Sequence, residues 1–294
     1  MKIIKVSPLS ITSFYIETFF EDVSEGINTK LSSATAFAYK YKDKKFLITN
    51  YHVAYGKNAE TGKVLDTNGG IPNKMQIYFY EPKQTNPKGI IFEINYSNRE
   101  NPFKYATIGG KIADIAVCEL SSNFTGVCIN EVEDIYNEPS LEENIRLEIT
   151  ESLYVLGYPR GISILNTPIW KKSSIASEPD INVEGTPCFY IDSTTREGMS
   201  GSPVIYYSKS GKYTTEEIKF AVADRPIYKF VGVYSGRDQN GEDHIAQLGR
   251  VWKKELIEKI ILDEYFMKEK IKLSLDEQIL NAEEIHNNKN IRPF

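Results

Sequence analysis

A chain of 294 residues, 41% hydrophobic and 12% aromatic, is long enough for one large domain or two small ones with substantial cores. Its net charge of −5 spreads no basic field and its lysines are scattered, which argues against nucleic acid as a partner. No run approaches the roughly 18 apolar residues of a membrane span, so no membrane role is expected.

The start, Met1-Lys2-Ile3-Ile4-Lys5-Val6-Ser7-Pro8, makes a poor signal peptide, because Lys5 and Pro8 interrupt its apolar stretch. From Thr35 the chain reads as a hairpin. Thr35-Ala36-Phe37-Ala38-Tyr39-Lys40-Tyr41 is rich in strand formers, Lys42 to Lys45 is a polar turn, and Phe46-Leu47-Ile48-Thr49 is a short apolar strand. Gly56 to Lys74 is polar and glycine-rich and reads as loop. Strands follow at Met75–Tyr80, Gly89–Ile94 and Asp114–Leu120. Cys118, Cys128 and Cys188 are odd in number and lack metal-ligand spacing, so they read as reduced core thiols of a cytoplasmic protein.

An acidic, weakly patterned stretch from Glu133 to Ile149 separates two β-rich halves. Strands resume at Ser152–Gly157, Cys188–Ile191, Pro203–Tyr207 and Phe230–Tyr234. Many short strands with frequent turns point to barrels or sandwiches. Val251 to Ile261 has helical spacing at Trp252, Leu256 and Ile260, and a second weak helix is expected from Leu275 to His286.

The chemistry centres on Gly198-Met199-Ser200-Gly201-Ser202-Pro203. Small residues around a serine let the backbone approach a reacting carbonyl, and a serine becomes a nucleophile when a base is near. Three histidines are present. His286 lies in a polar tail, His244 follows Gly241-Glu242-Asp243, and His52 directly follows an apolar strand at a barrel rim. Asp114 opens the apolar strand Ile115-Ala116-Val117-Cys118, where a carboxylate can orient an imidazole; the plain alternative is an exposed strand-start acid. Ser202 stands where Gly-x-Ser-x-Gly needs its last glycine, and the order His52, Asp114, Ser200 is not that of α/β-hydrolases.

At Thr49-Asn50-Tyr51-His52-Val53, Asp114-Ile115-Ala116-Val117, Gly157-Tyr158-Pro159 and the serine hexapeptide, the chain resembles the trypsin-like, chymotrypsin-fold serine peptidases. It is most similar to the bacterial intracellular and high-temperature-requirement branches, over roughly residues 30–262. The resemblance implies an all-β fold of two six-stranded antiparallel β-barrels with a C-terminal helix and helical tail. The N-terminal barrel would span 1–130 and carry His52 and Asp114. The second would span 131–250 and carry Ser200, with helix and tail over 251–294. It further implies Ser200 as nucleophile, His52 as general base then acid, and Asp114 as its orienter. The backbone N–H groups of Gly198 and Ser200 would form the oxyanion hole. Tyr234-Ser235-Gly236 would pair with the substrate backbone. The plain alternative for Gly198 and Gly201 is a tight turn, and for Gly236 a hairpin.

Met199 replaces the aspartate that, in secreted digestive members, pairs with a newly cut N-terminus, so activation by such a cut is not implied. Control by a regulatory protein partner is expected instead, and a stress or phage-defence effector is one such role. The pocket for the residue before the cleaved bond would have Thr194 at its base and Thr195 and Gly236 in its wall, favouring a small or apolar side chain. A glutamate preference involving Thr195 and His244 is the lesser reading. No metal or cofactor is implied, and the substrate is a protein or peptide. The competing readings are a protease-fold peptide-binding module that no longer cuts, and an esterase using the same triad.

Overall fold

The computed structural model describes residues 6–80, 89–96, 100–132, 144–163, 166–193, 197–237 and 248–264. Its first half is built on a pair of long strands, β1 (Ser13–Asp22) and β2 (Ile27–Tyr41), which run antiparallel. Period-two alternation along β1 buries Phe14 and Ile16 completely. The chain turns at Lys42-Asp43, with Lys42 at φ 53, into β3 (Lys44–Thr49). A single helical turn, α1 (Tyr51–Tyr55), follows. Next come β4 (Lys74–Tyr80), β5 (Gly89–Asn95), the small hairpin of β6 (Thr107–Ile108) and β7 (Lys111–Ile112), and β8 (Ala116–Glu119).

These strands form a six-stranded sheet in the order β5-β4-β1-β2-β3-β8. The expected first barrel is therefore present as six strands, but its ladder is not closed among the described residues. β8 is only four residues long, and its outer edge is taken by Lys104, which exchanges two backbone hydrogen bonds with Val117 at 2.7 and 2.8 Å. β5 at the other edge alternates between exposed and half-buried residues, as a solvent-facing edge strand does.

The second half is a closed barrel. β9 (Ser152–Gly157), β10 (Ile169–Ile175), β11 (Cys188–Asp192), β12 (Pro203–Ser208), β15 (Ile227–Arg237) and β16 (Leu248–Lys253) pair around the ring β10-β11-β16-β15-β12-β9. A two-stranded excursion, β13 (Lys212–Thr214) and β14 (Phe220–Val222), lies between β12 and β15. The helix expected over 251–261 is shorter. Trp252 belongs to β16, paired with Cys188 and Val233, and α2 covers only Glu255–Ile261. The weak helix expected over 275–286 lies outside the described residues.

Each half has its own core, one around Phe14, Phe79 and Phe124 and one around Leu153, Phe189 and Tyr234. A third cluster joins the halves: Phe37 and Ile48 pack with Phe230, Trp252 and Leu256, and the Phe37 and Phe230 rings meet edge-on at 5.3 Å. Burying such side chains is worth roughly 1.5–3 kcal/mol each, so the halves are held in fixed register. All three cysteines are buried free thiols. Among the described residues no helix is long and apolar enough to cross a membrane.

Candidate active site

β3 ends at Thr49, and the chain passes through Asn50, extended at φ −84 and ψ 152, into α1. β8 pairs with β3 so that Thr49 opposes Ala116. Carrying that antiparallel register past both strand ends sets Asp114 against the Tyr51-His52 corner. The contact is two-pronged. His52 N donates to Asp114 Oδ1 at 2.9 Å, and His52 Nδ1 lies 2.7 Å from Asp114 Oδ2. A carboxylate only accepts, so Nδ1 carries the hydrogen and Nε2 of the neutral ring keeps its lone pair.

Asp114 is itself held. Asn50 Nδ2 donates to its carbonyl at 2.6 Å, and Ile115 N donates to Ala113 O at 2.8 Å, closing a three-residue turn centred on Asp114. Tyr51 and Tyr55 stack at 4.5 Å, with Tyr105 edge-on to both, so the turn that carries His52 is braced by three rings. Burial pulls the His52 pKa down, but the charge of Asp114 and the hydrogen bond to its carboxylate outweigh it and hold the imidazole above its ordinary value. The two side chains keep 24% and 13% of their surface exposed, so the ring is reachable.

Ser200 sits in a turn between β11 and β12 in which the four carbonyls from Glu197 to Ser200 are all occupied. Glu197 O accepts from Arg160 N at 2.7 Å, and Gly198 O from Thr35 Oγ1 at 2.7 Å. Met199 O accepts from both Ser202 N and Ser202 Oγ, at 3.1 and 2.6 Å, and Ser200 O from Thr35 N at 2.9 Å. In a trans peptide the N–H points opposite to the C=O. The N–H groups of Gly198 and Ser200 are thereby turned away from these anchors, and neither has a partner among the described residues. The Ser200 hydroxyl likewise makes no hydrogen bond among them, to His52 or to any other group. Ser202, by contrast, is fully buried with its hydroxyl committed to Met199 O.

Two glycines make this turn feasible. Gly198 has φ +91, and a Cβ there would lie 2.2 Å from Tyr158 O; Gly201 has φ +82, and a Cβ there would lie 2.1 Å from Thr35 O and 2.4 Å from Thr49 Oγ1. The Ser200 turn is thus pressed against the end of β3, three residues before His52. Arg160 adopts φ 52 and ψ 32, which costs a non-glycine residue roughly 1–2 kcal/mol, while its N–H holds Glu197 O. Met199 is completely buried in the barrel core, and a Cβ at Gly157 would stand 3.0 Å from its sulfur.

β15 closes the other side. Gly201 N donates to Tyr234 O, and Tyr234 N to Ser202 O, both at 2.9 Å. A Cβ at Gly236 would be 3.9 Å from Ser200 Oγ, so the Ser235-Gly236 backbone borders the serine. Ser235 Oγ accepts from Trp252 Nε1 at 3.1 Å. His52 and Asp114 are in direct contact, and Ser200, Gly198, Tyr234 and Gly236 share one neighbourhood. Thr194, Thr195, His244 and His286 lie outside the described residues. Sequence reasoning assigned no role to Thr35, Asn50 or Arg160. Asn50 had a signal, its place beside His52 in a quoted motif; Thr35 had none beyond strand propensity.

No protein-family model matches the chain, and no curated protein matches it. Among solved structures, it is similar to the inactive form of Rv3671c from M. tuberculosis H37Rv, a serine-to-alanine mutant. Identity is 15%, with 87% of this chain and 86% of that one covered, at a TM-score of 0.42. It is similar also to a cysteine-to-alanine mutant of the Tobacco Etch Virus protease. There identity is 14%, with 85% and 78% covered, at a TM-score of 0.42. At those TM-scores neither likeness bears on the fold or the chemistry, which rest on the strand pairing and distances above.

Proposed function

We propose that this chain is a serine endopeptidase that cuts peptide bonds through an acyl-enzyme, with Ser200, His52 and Asp114 as its triad. One observation carries the reading. A histidine held by both oxygens of one carboxylate, one on its ring and one on its backbone N–H, lies at the strand end against which a serine turn packs, and that turn has the carbonyls from Glu197 to Ser200 tied back and two N–H groups without a partner among the described residues. Acyl transfer needs those parts: a base, an orienter, a nucleophile and donors for the developing oxyanion.

In this reading Ser200 Oγ attacks the peptide carbonyl and its proton passes to His52 Nε2. Asp114 stabilises the imidazolium that forms. Gly198 N–H and Ser200 N–H donate to the oxyanion, and His52 then returns the proton to the leaving amine. Water, deprotonated by His52, releases the acyl group. The substrate strand lies along Ser235-Gly236 by main-chain pairing. The residue preference stays with Thr194, Thr195 and Gly236, favouring a small or apolar side chain. The halves act as two domains, 1–130 and 131–250, followed by 251–294. Three free buried thiols fit a reducing, cytoplasmic setting. There a regulatory partner, as in a stress or phage-defence response, would restrain cleavage.

The test is labelling with a fluorophosphonate probe, with the adduct located by mass spectrometry. A single adduct on Ser200, absent in Ser200→Ala and slowed in His52→Ala, is the expected result. A folded wild type that takes no label is a binding module instead. Labelling with turnover of simple esters but of no peptide in a diverse library would mark an esterase.

A further inference from the structure

The residue with most hold on the serine turn belongs to neither the triad nor the turn. Thr35, on β2 in the first half of the chain, is completely buried and makes four hydrogen bonds around Ser200. Its N–H donates to Ser200 O at 2.9 Å, and its hydroxyl donates to Gly198 O at 2.7 Å. The same hydroxyl accepts from Tyr158 N at 3.2 Å, and its carbonyl accepts from Thr49 Oγ1 at 2.9 Å. A hydroxyl has one donor and two acceptor sites, so the single hydrogen goes to Gly198 O and a lone pair is left for Tyr158.

We infer that Thr35 is the positioning residue of the oxyanion site: its hydroxyl fixes the Gly198-Met199 peptide and so aims the N–H groups of Gly198 and Ser200. The inference rests on the peptidase reading above. The peptide planes on either side are fastened by other means, Glu197 O by Arg160 N and Met199 O by Ser202. Only the Gly198-Met199 plane depends on a side chain from the other half of the molecule. Gly198 at φ +91 has backbone freedom that other residues lack. Each donor plane hinges on this one, through φ of Gly198 on one side and ψ of Met199 on the other, and each is otherwise held at a single carbonyl. Without the hydroxyl, the Gly198 and Met199 Cα atoms can shift, and the donor planes pivot about those bonds and are less well aimed. Oxyanion donors act on the transition state rather than the bound substrate, so Thr35 governs turnover and not affinity.

The test compares Thr35→Val, which keeps the shape and loses the hydroxyl, with Thr35→Ser, which keeps it, using peptide kinetics and a peptide-aldehyde inhibitor. The expected result is a fall in kcat of about 10²-fold in Thr35→Val, the size of losing one oxyanion donor. KM stays close to wild type, aldehyde affinity falls in parallel with kcat/KM, and Thr35→Ser restores both. Should Thr35→Val fail to fold, Thr35→Cys, whose thiol is a weak donor, takes its place and is expected between Ser and Val. An active wild type whose Thr35→Val or Thr35→Cys variant keeps wild-type kcat overturns the inference, as does a loss confined to KM. A wild type with no turnover and no labelling speaks against the peptidase reading itself, which keeps the two failures apart.

Discussion

Replacing Asp114 by Asn probes the His52 pair most directly. The asparagine keeps one oxygen, so the bond from His52 N to the Oδ1 position, 2.9 Å in the wild type, survives. Its other group is an NH₂ donor facing His52 Nδ1 across a contact of 2.7 Å. Two donors cannot share that contact, so the neutral ring switches tautomer, Nε2 takes the hydrogen, and, in the peptidase reading, the base for Ser200 is lost. The corresponding change in a Ser-His-Asp triad lowers kcat by about 10⁴-fold, about 5.5 kcal/mol of barrier. The pH profile moves as well. The wild-type imidazole is held above 6.5 by the Asp114 charge, so the acid limb of kcat/KM lies above that value; the neutral asparagine brings it down. Linkage gives the same sign. A raised folded-state pKa stabilises the fold below the unfolded-state value, and this contribution is lost as pH rises through the folded one. The stability gap between wild type and variant therefore narrows from pH 5.5 towards pH 8. Stopped-flow acylation, pH profiles and thermal melts measure all three. A folded Asp114→Asn protein with turnover within about tenfold of wild type, or an unmoved acid limb, would refute Asp114 as the orienter.

Three further substitutions separate the parts of the site. Gly198→Ala places a methyl 2.2 Å from Tyr158 O at φ +91, and is expected to lower kcat by about 10²–10³-fold while the Asp114–His52 hydrogen bond persists as a low-field proton resonance. Ser202→Ala removes one of two donors to Met199 O; about 1 kcal/mol of stability should go in urea unfolding, with fluorophosphonate labelling retained. Phe230→Ala opens the cluster between the halves, where its ring meets Phe37 at 5.3 Å. It should cost about 3–5 kcal/mol in denaturant unfolding, and a smaller loss would mean the halves are joined elsewhere.

The strand-rich sequence was legible where apolar runs are short and uniform, as at Phe46–Thr49 and Ser152–Gly157, both strands in the structure. β1 went unread because Glu17 and Thr18 interrupt its apolar residues, and its pairing with β2 is what makes it a strand. Trp252 was misread as helical because the strand-to-helix junction happens to place it four residues from Leu256. The pairing of His52 with Asp114 had a signal, polar groups standing beside apolar strands. Thr35 had none, since its partner Gly198 lies 163 residues away and only the packing of β2 on the serine turn brings them together.

Met199 seats the serine turn with a thioether. A seat made by an ion pair to a chain-terminal amine would loosen as that amine loses its charge near pH 8. A sulfur sunk in the core of the closed barrel has no proton to lose. In the peptidase reading, activity then rises once, as His52 gives up its proton, and stays level through the mildly alkaline range. The grip on the nucleophile responds to temperature and to volume, the variables that govern apolar packing, rather than to pH.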